Sequence, residues 1–245
     1  MTTVIKLGGS LLDDASRRDA ALRKIVARWN AGEDLVLVHG GGKHIDAALA
    51  EKGIARKTHA GLRITDDATL AVVVSVLGGT VNKMLVRELA KLGVRAAGIS
   101  GCDGATLMAT PHPPIDGVDL GRVGKVTHAS RALVASLLNY GTLPVVSSIA
   151  IGADGELFNV NADSAAAAMA IAVGAQELLF ITDVAGLLDA DGKVVPRLHA
   201  ADAQSFIDNV TGGMKPKLQA ALSALTSGVR EILIGEEGGT TLVAA

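Results

Sequence analysis

The stretch TVIKLGGSLL (residues 3–12) combines a short apolar run with a lysine inside it and two glycines directly after it. The apolar residues Val4, Ile5 and Leu7 are typical of a buried strand. A lysine in such a strand is costly unless its ammonium group reaches a partner or water. Because glycine has no side chain, backbone N–H groups at Gly8 and Gly9 can approach a ligand closely. The stretch predicts a buried strand that ends at an anion site, with extension of the lysine to the surface as the alternative.

Outward from this stretch, strand-length apolar runs alternate with helix-length segments. Strands are predicted at 4–7, 35–38, 94–99, 143–147, 177–182 and 231–234. Helices are predicted at 16–30, from about 44, at 66–92 with a break near Gly78 and Gly79, and at 131–139, 162–173 and 213–227. This alternation predicts an α/β fold with a mainly parallel sheet. Three prolines interrupt the pattern in 105–126, which we expect to form hairpins at the sheet edge.

Composition excludes several classes of function. The 245 residues carry a net charge of −2 and only 2% aromatic residues, which argues against nucleic-acid binding because phosphates need Lys and Arg and bases need stacking partners. The single cysteine, Cys102, excludes an internal disulfide and suits a reducing compartment. No N-terminal signal is evident, and no uninterrupted apolar run reaches the roughly 20 residues of a membrane span. We therefore expect a cytoplasmic protein with neither membrane nor nucleic acid as partner.

A second strand also ends in glycines, in LVLVHGGGKHID (residues 35–46). In open α/β sheets, ligands bind beyond the carboxyl ends of the strands, and a following helix N-terminus favours an anion. Neither glycine segment matches a Walker A loop or a dinucleotide fingerprint. Two ordinary tight turns remain the alternative, but the pair of loops beside Lys6 favours an anion site.

Polar residues precede two further helices. In FNVNAD (residues 158–163), Asn159, Asn161 and Asp163 lie before an almost wholly apolar helix, where they are either helix caps or parts of a site. In GGMKPK (residues 212–217), Lys215 and Lys217 fall near a helix N-terminus, where the dipole disfavours a cation. A bound anion would offset that penalty, and a solvent-facing basic turn is the alternative.

The remaining reactive residues give weaker signals. Arg63, in AGLRITD (residues 60–66), is either a surface arginine or a clamp whose planar fork matches a carboxylate. The six histidines contain no metal-binding pair with helical spacing, and Cys102 has no second cysteine nearby. The sequence predicts no metal site.

Taken together, these segments resemble the amino acid kinase family. The resemblance covers nearly the whole chain. It is carried in order by KLGGS (6–10), HGGG (39–42), AGLRITD (60–66), GTVNK (79–83), GISGCDG (98–104), LPVVSSI (143–149), NVNAD (159–163), TDVAGLL (182–188) and GGMKPK (212–217). Within the family, HGGG, GLRITD and NVNAD are similar to the acetylglutamate branch.

The resemblance implies ATP-dependent phosphorylation of the side-chain carboxylate of N-acetyl-L-glutamate, with Mg²⁺ on the ATP phosphates. It implies that Lys6 and Lys217 hold the transferring phosphoryl group, that Asp163 holds both lysines, and that the N–H groups of Gly9 and Gly42 stabilise the same charge. The implied positions for the acyl substrate are Gly41, Gly42, Arg63 and Asn159. Those implied for the nucleotide are Gly8, Thr182, Asp183, Gly186, Leu187, Gly212, Met214 and Lys217.

The same resemblance implies a three-layer αβα sandwich. Residues 1–173 would form a lobe for acyl-substrate binding and dimerisation, and residues 174–245 a lobe for ATP. The first strand begins at about residue 3, so we expect a homodimer without arginine feedback. Lys215 departs from the apolar residue usual at its position. Three alternatives stay open: a kinase acting on carrier-protein-bound α-aminoadipate or glutamate, a different small-acid kinase of the family, and a non-catalytic nucleotide-binding member.

Overall fold

The structure, a computed structural model, describes residues 1–189, 191–210, 212–235 and 238–244, apart from the side chains of Ser10, Asp208 and Asn209. Its helices are α1 (Ser10–Asp13), α2 (Ala15–Asn30), α3 (Gly42–Glu51), α4 (Asp67–Val74), α5 (Asn82–Lys91), α6 (Ala132–Asn139), α7 (Ala162–Val173), α8 (Ala200–Asn209) and α9 (Met214–Thr226). A π-helical segment (Ser75–Val81) joins α4 to α5, and a 3-10 turn lies at Asp103–Ala105.

The strands are β1 (Thr2–Leu7), β2 (Asp34–His39), β3 (Thr58–His59), β4 (Leu62–Arg63), β5 (Ala96–Ser100), β6 (Leu107–Pro111), β7 (Val123–Ala129), β8 (Leu143–Ser147), β9 (Ile149–Ile151), β10 (Leu157–Val160), β11 (Glu177–Ile181), β12 (Arg197–His199), β13 (Glu231–Ile234) and β14 (Thr240–Val243). Within the described residues, the main sheet has eight strands in the order β12-β14-β13-β11-β1-β2-β8-β5. Every neighbouring pair is parallel except β13 and β14, which confirms the predicted fold class.

Alternate residues of the central strands enter two separate cores, one on each face of the sheet. Val4 and Val36 pack with helices α6 to α9, whereas Ile5 and Leu35 pack with α2 to α5. The period-2 alternation of strand side chains produces this division, because successive residues point to opposite faces. The result is the predicted three-layer αβα arrangement, in which the carboxyl ends of β1 and β2 lie side by side.

The proline-rich segment forms a hairpin as predicted, but it joins a second small sheet. Strands β6 and β7 pair antiparallel, and together with β9 and β10 they close a four-stranded barrel. Strand β10 was not predicted, because the alternating polar residues Asn159, Asn161 and Asp163 also fit a loop before α7. In the barrel, their alternation places Phe158 and Val160 inside, while Asn159 is only half-buried.

The predicted break at Gly78 and Gly79 is wrong, since the chain continues through them as a π-helical segment. Helix and π segment together form a 25-residue helical stretch, Asp67–Lys91, whose most apolar 18-residue window has a mean hydropathy of 1.7. By length and composition alone this stretch could cross a membrane. In the structure 44% of the window is buried, and core helices commonly pass the same test. Its buried residues belong to the core that includes Ile5 and Leu35.

Candidate active site

Lys6 lies near the carboxyl end of β1, the strand at the centre of the main sheet. Its neighbours in register are Val38 on β2 and Phe180 on β11, so the lysine is enclosed from both sides. The residue is only 8% exposed. Its ammonium group does not extend to solvent but lies 2.9 Å from Oδ1 of Asp163. The cost of burying the lysine is therefore offset by a buried carboxylate.

A second lysine, from α9, contacts the same carboxylate. Nζ of Lys217, in the first turn of α9, lies 3.1 Å from Oδ1 and 3.0 Å from Oδ2 of Asp163. It also lies 5.1 Å from the centre of the Phe180 ring, within cation–π distance. We refer to Lys6, Asp163 and Lys217 as the charged trio. Two ammonium groups share one carboxylate in it, so the trio carries a net positive charge.

The buried position changes the ionisation of the trio. Burial alone would raise the pKa of Asp163, but the charges and hydrogen bonds of Lys6 and Lys217 outweigh it and lower that pKa. Burial and the nearby Lys6 charge lower the pKa of Lys217, against the opposing effect of Asp163. Asp163 is therefore ionised at neutral pH.

The position of Asp163 follows from the start of α7. Asn161 is the N-cap, and its side-chain oxygen accepts hydrogen bonds from the N–H groups of Asp163 and Ser164. Asp163 is thus held in the first helical turn, where the helix dipole favours an acidic residue. Asn161 is therefore a helix cap, whereas the Asp163 side chain is paired with the two lysines.

The first glycine pair shapes the space around Lys6. A Cβ atom on Gly8 would collide with Nζ of Lys6, so any larger residue at this position would displace the lysine ammonium group. Gly9 has a φ of +56°, a conformation that costs little for glycine. A Cβ atom on Gly9 would lie 3.5 Å from Oδ1 of Asp183, which is ordinary van der Waals contact.

The second glycine loop, Gly40 to Gly42, joins β2 to α3 and packs tightly. A Cβ atom on Gly40 would lie 3.2 Å from Cβ of Ala162, the residue before Asp163. A Cβ on Gly41 would lie 2.9 Å from Leu77 and 3.1 Å from Val81. The loop is therefore adjacent to the trio. It ends at the N-terminus of α3, where backbone N–H groups are unpaired within the helix.

Arg63 lies on the short β4 strand and contacts the second glycine loop. Its Nη2 donates to the carboxylate of Asp46 and, at 3.3 Å, to the carbonyl oxygen of Gly42. Its Nη1 is buried and makes no hydrogen bond to any described residue. The side chain is only 11% exposed. A fixed guanidinium with an unused donor is suited to bind a carboxylate.

Asn159 is connected to the Arg63 strand through Thr65. Its side-chain amide donates to Oγ1 of Thr65 at 3.1 Å, and that hydroxyl donates to the carbonyl of Arg63 at 2.7 Å. The structure thus brings the barrel strand β10 and the β3–β4 hairpin together on one side of the second glycine loop.

The predicted nucleotide residues lie after β11 and before α9. The Thr182 hydroxyl contacts Asp183 Oδ1 at 3.0 Å, and the charge of Asp183 acts on Lys217. Gly186 and Leu187 instead pack against β14, where the Leu187 N–H donates to Thr240 Oγ1 at 2.7 Å. Gly212, with a φ of +62°, and Met214 precede Lys217 at the start of α9.

Three residues that the sequence did not single out also belong to the site. Asp46 orients Arg63, and Phe180 lies beneath Lys217. His39, the last residue of β2, is completely buried beside the second glycine loop. The sequence signal for His39 is its position directly before three glycines.

Within the described residues, no group of three or more His, Cys, Asp or Glu side chains is placed to hold a metal ion. Asp163 is already bound by two lysines.

Comparisons with known proteins give one family. The amino acid kinase family matches residues 1–236. A protein of Solibacter usitatus named acetylglutamate kinase is 41% identical over 100% of this chain and 100% of its own length. An acetylglutamate kinase of Geobacillus kaustophilus is 43% identical over 95% of this chain and 89% of its own. A solved structure, smu.665 from Streptococcus mutans, is 31% identical with a TM-score of 0.88, covering 99% of this chain and 98% of that one.

These matches extend over every segment that supplies the trio. The family match, the relatives above 30% identity and the parallel sheet with its two glycine loops agree with one another. The chain belongs to the amino acid kinase family.

Proposed function

We propose that this protein is an ATP-dependent kinase that phosphorylates the side-chain carboxylate of N-acetyl-L-glutamate, a step of arginine biosynthesis. A carboxylate oxygen attacks the γ-phosphorus of ATP, a new O–P bond forms, and the bond to the bridging oxygen of ADP breaks. The products are N-acetyl-L-glutamyl 5-phosphate and ADP. The observation that carries this proposal is the charged trio, which presents two buried ammonium groups at the carboxyl end of the sheet.

The trio suits phosphoryl transfer because this reaction depends on positioning and on stabilisation of negative charge. The attacking carboxylate is already ionised, so no strong base is required. Lys6 and Lys217 would hold the oxygens of the transferring group from two sides. Asp163 would fix both lysines while leaving the net positive charge of the trio for the phosphoryl oxygens. The backbone N–H groups of Gly9 and Gly42 would donate to the same oxygens.

The acyl substrate would lie between the second glycine loop and the β3–β4 hairpin. Arg63, with its unused Nη1 donor, would bind the α-carboxylate. Asn159 would bind the acetamido group, and Gly41 would leave room for the substrate beside the loop. Selectivity for an N-acetylated substrate then depends on Asn159, since a buried polar group left unpaired is penalised.

The nucleotide would lie over the segments around Asp183 and Gly212. Support comes from the charge of Asp183, which acts on Lys217, and from Gly212, which lies just before the helix that carries Lys217. Gly8 would complete the turn toward the phosphates, Thr182 would orient Asp183, and Gly186, Leu187 and Met214 would form the wall of the site. Mg²⁺ would be carried by the ATP phosphates, neutralising part of their charge. Residues 1–173 would thus hold the acyl substrate and 174–245 the nucleotide.

The names of the full-length relatives favour N-acetyl-L-glutamate over a carrier-protein-bound acid. The intact trio argues against a non-catalytic role. A homodimer without arginine feedback and a cytoplasmic location stay predictions, to be checked by sedimentation, arginine inhibition and fractionation.

The deciding experiment is an assay of ADP release with Mg-ATP, comparing N-acetyl-L-glutamate, L-glutamate and N-acetyl-α-aminoadipate. Hydroxylamine trapping of the acyl phosphate identifies the product. We expect strong preference for N-acetyl-L-glutamate. Turnover on none of the three, with ATP still bound, would contradict the proposal and favour a carrier-bound substrate or a non-catalytic role.

A further inference from the structure

His39 makes two hydrogen bonds that the proposed reaction does not use. Its Nδ1 lies 2.9 Å from the carbonyl oxygen of Gly40, in the second glycine loop. Its Nε2 lies 3.1 Å from Nδ2 of Asn82, the first residue of α5. Both His39 and Asn82 are completely buried.

The contacts of Asn82 fix which way these bonds run. Nζ of Lys83, which can only donate, lies 3.0 Å from Asn82 Oδ1. The amide nitrogen of Asn82 therefore points the other way, toward His39 Nε2 and the carbonyls of Val145 at 3.0 Å and Ile99 at 3.3 Å. The Gly40 carbonyl beside Nδ1 can only accept, so the ring proton lies on Nδ1 and Nδ1–H donates to it. Nε2 is then the acceptor that faces the Asn82 amide.

The same region supports the loop by packing. The π-helical segment just before Asn82 places Leu77 and Val81 against Gly41, leaving no space for a Cβ atom. Single π-helical turns inside α-helices are frequent at functional sites. The segment thus holds the loop from one side through contact, while His39 holds it through a hydrogen bond.

We propose that His39 is a positioning residue that holds the Gly40–Gly42 loop in its working conformation, with its tautomer fixed by Asn82 and Lys83. The inference rests on the proposed function, in which the Gly42 N–H group donates to the transferring phosphoryl group. Misplacement of that donor by a fraction of an ångström weakens stabilisation of the transition state.

A role for His39 as acid or base fits the structure less well. Its single ring proton is committed to the Gly40 carbonyl, and its other nitrogen accepts from Asn82. Burial, reinforced by the Lys83 charge, lowers the pKa of His39 to about 4, so the ring is neutral at physiological pH.

The kinetic test compares two replacements of His39 with one matched control. His39→Leu removes the donor, whereas His39→Asn keeps an amide N–H near the position of Nδ1. We expect His39→Leu to lower kcat about 10-fold or more with KM for both substrates within about 3-fold, because positioning acts in the transition state. His39→Asn should restore most of the lost kcat.

Thr3→Val is the control, since Thr3 is equally buried and hydrogen-bonded but lies at the opposite end of the neighbouring strand. It should lower stability without changing kcat. Equal kcat in His39→Leu and the wild type, or equal loss in the Leu and Asn variants at matched stability, would overturn the proposal.

A second readout does not depend on activity. Two-bond ¹H–¹⁵N spectra distinguish the tautomers of neutral imidazole, and the His39 signals are those missing from His39→Asn. We expect the Nδ1–H tautomer at pH 7. An Nε2–H tautomer would overturn the inference even if the kinase activity is established. A wild type without turnover would contradict the proposed function, while the spectrum would still test the loop contact.

Discussion

Lys217 contacts both carboxylate oxygens of Asp163, at 3.1 Å and 3.0 Å, although 54 residues separate the two in sequence. The contact joins the start of α9 to the start of α7, and it is buried. Lys6 contacts the same carboxylate from β1, so three elements meet at one buried charge. Any change to Asp163 should consequently affect both lysines.

Replacement of Asp163 by asparagine should weaken the fold and the reaction together. Two buried ammonium groups would lose their only carboxylate within the trio, and loss of one partner from a buried ion pair costs about 3–5 kcal/mol. We expect a comparable fall in the free energy of unfolding and a drop in kcat of about 100-fold. Urea denaturation and steady-state assays measure the two effects. Unchanged stability would contradict the assignment of Asp163 as the shared counter-ion.

Because Asp163→Asn raises the charge of the trio, a bound polyanion should compensate part of its defect. We expect ATP to raise the Tm of this variant more than that of the wild type at equal ATP concentration, because tighter binding to the folded state stabilises it more. A smaller shift would mean that the nucleotide phosphates do not lie against the two lysines.

Lys217→Met should lower kcat about 100-fold, as expected for removal of a preorganised charge in the transition state. Lys6→Met should behave in the same way. The matched control is Lys215→Met, because Lys215 is exposed in the same helical turn, two residues from Lys217. If Lys215→Met were as damaging as Lys217→Met, the effect would reflect the general charge of this turn and not the buried lysine.

The fold was predictable largely because its strands are short apolar runs bounded by glycine. The strands Leu143–Ser147 and Glu231–Ile234 and the helix Ala162–Val173 have the predicted bounds. The prediction failed where local sequence opposes the final structure. Gly78 and Gly79 suggest a break, but packing against β5 and the glycine loop stabilises a π-helical turn through them. Strand β12 and helix α8 lack a strong pattern, because they pack at the edge of the sheet.

The site was predictable in its charged residues and not in its supports. The sequence alone could single out Lys6, Asp163 and Lys217, because each residue type is unusual at its position. Asp46, Asn82 and His39 act through contacts with residues distant in sequence, which periodicity does not encode. The barrel position of Asn159 depends on pairing of β10 with β7 and β9, which is equally non-local.

Arg63→Met should raise KM for N-acetyl-L-glutamate at least about 10-fold and leave KM for ATP nearly unchanged, since a charged hydrogen bond contributes about 1.5–3 kcal/mol. The control is Arg56→Met. Arg56 pairs with the other oxygen of Asp46 at 3.1 Å, but its side chain is 60% exposed. Initial-rate assays in which each substrate is varied in turn measure the two KM values separately. An equal rise in both variants would indicate that Asp46, and not direct binding by Arg63, determines affinity.

Stability should fall in mild acid because of His39. Burial, opposed by the hydrogen bond to Gly40 and reinforced by the charge of Lys83, lowers the pKa of His39 from 6.5 to about 4. Between these values the unfolded chain binds more protons than the folded chain, so the free energy of unfolding rises with pH. Lowering the pH from 7 to 4 should therefore remove up to about 3 kcal/mol through this residue. Urea denaturation at several pH values measures it, and His39→Asn is the control, because it retains every other titrating group. Parallel pH profiles in the wild type and His39→Asn would show that the buried ring does not contribute.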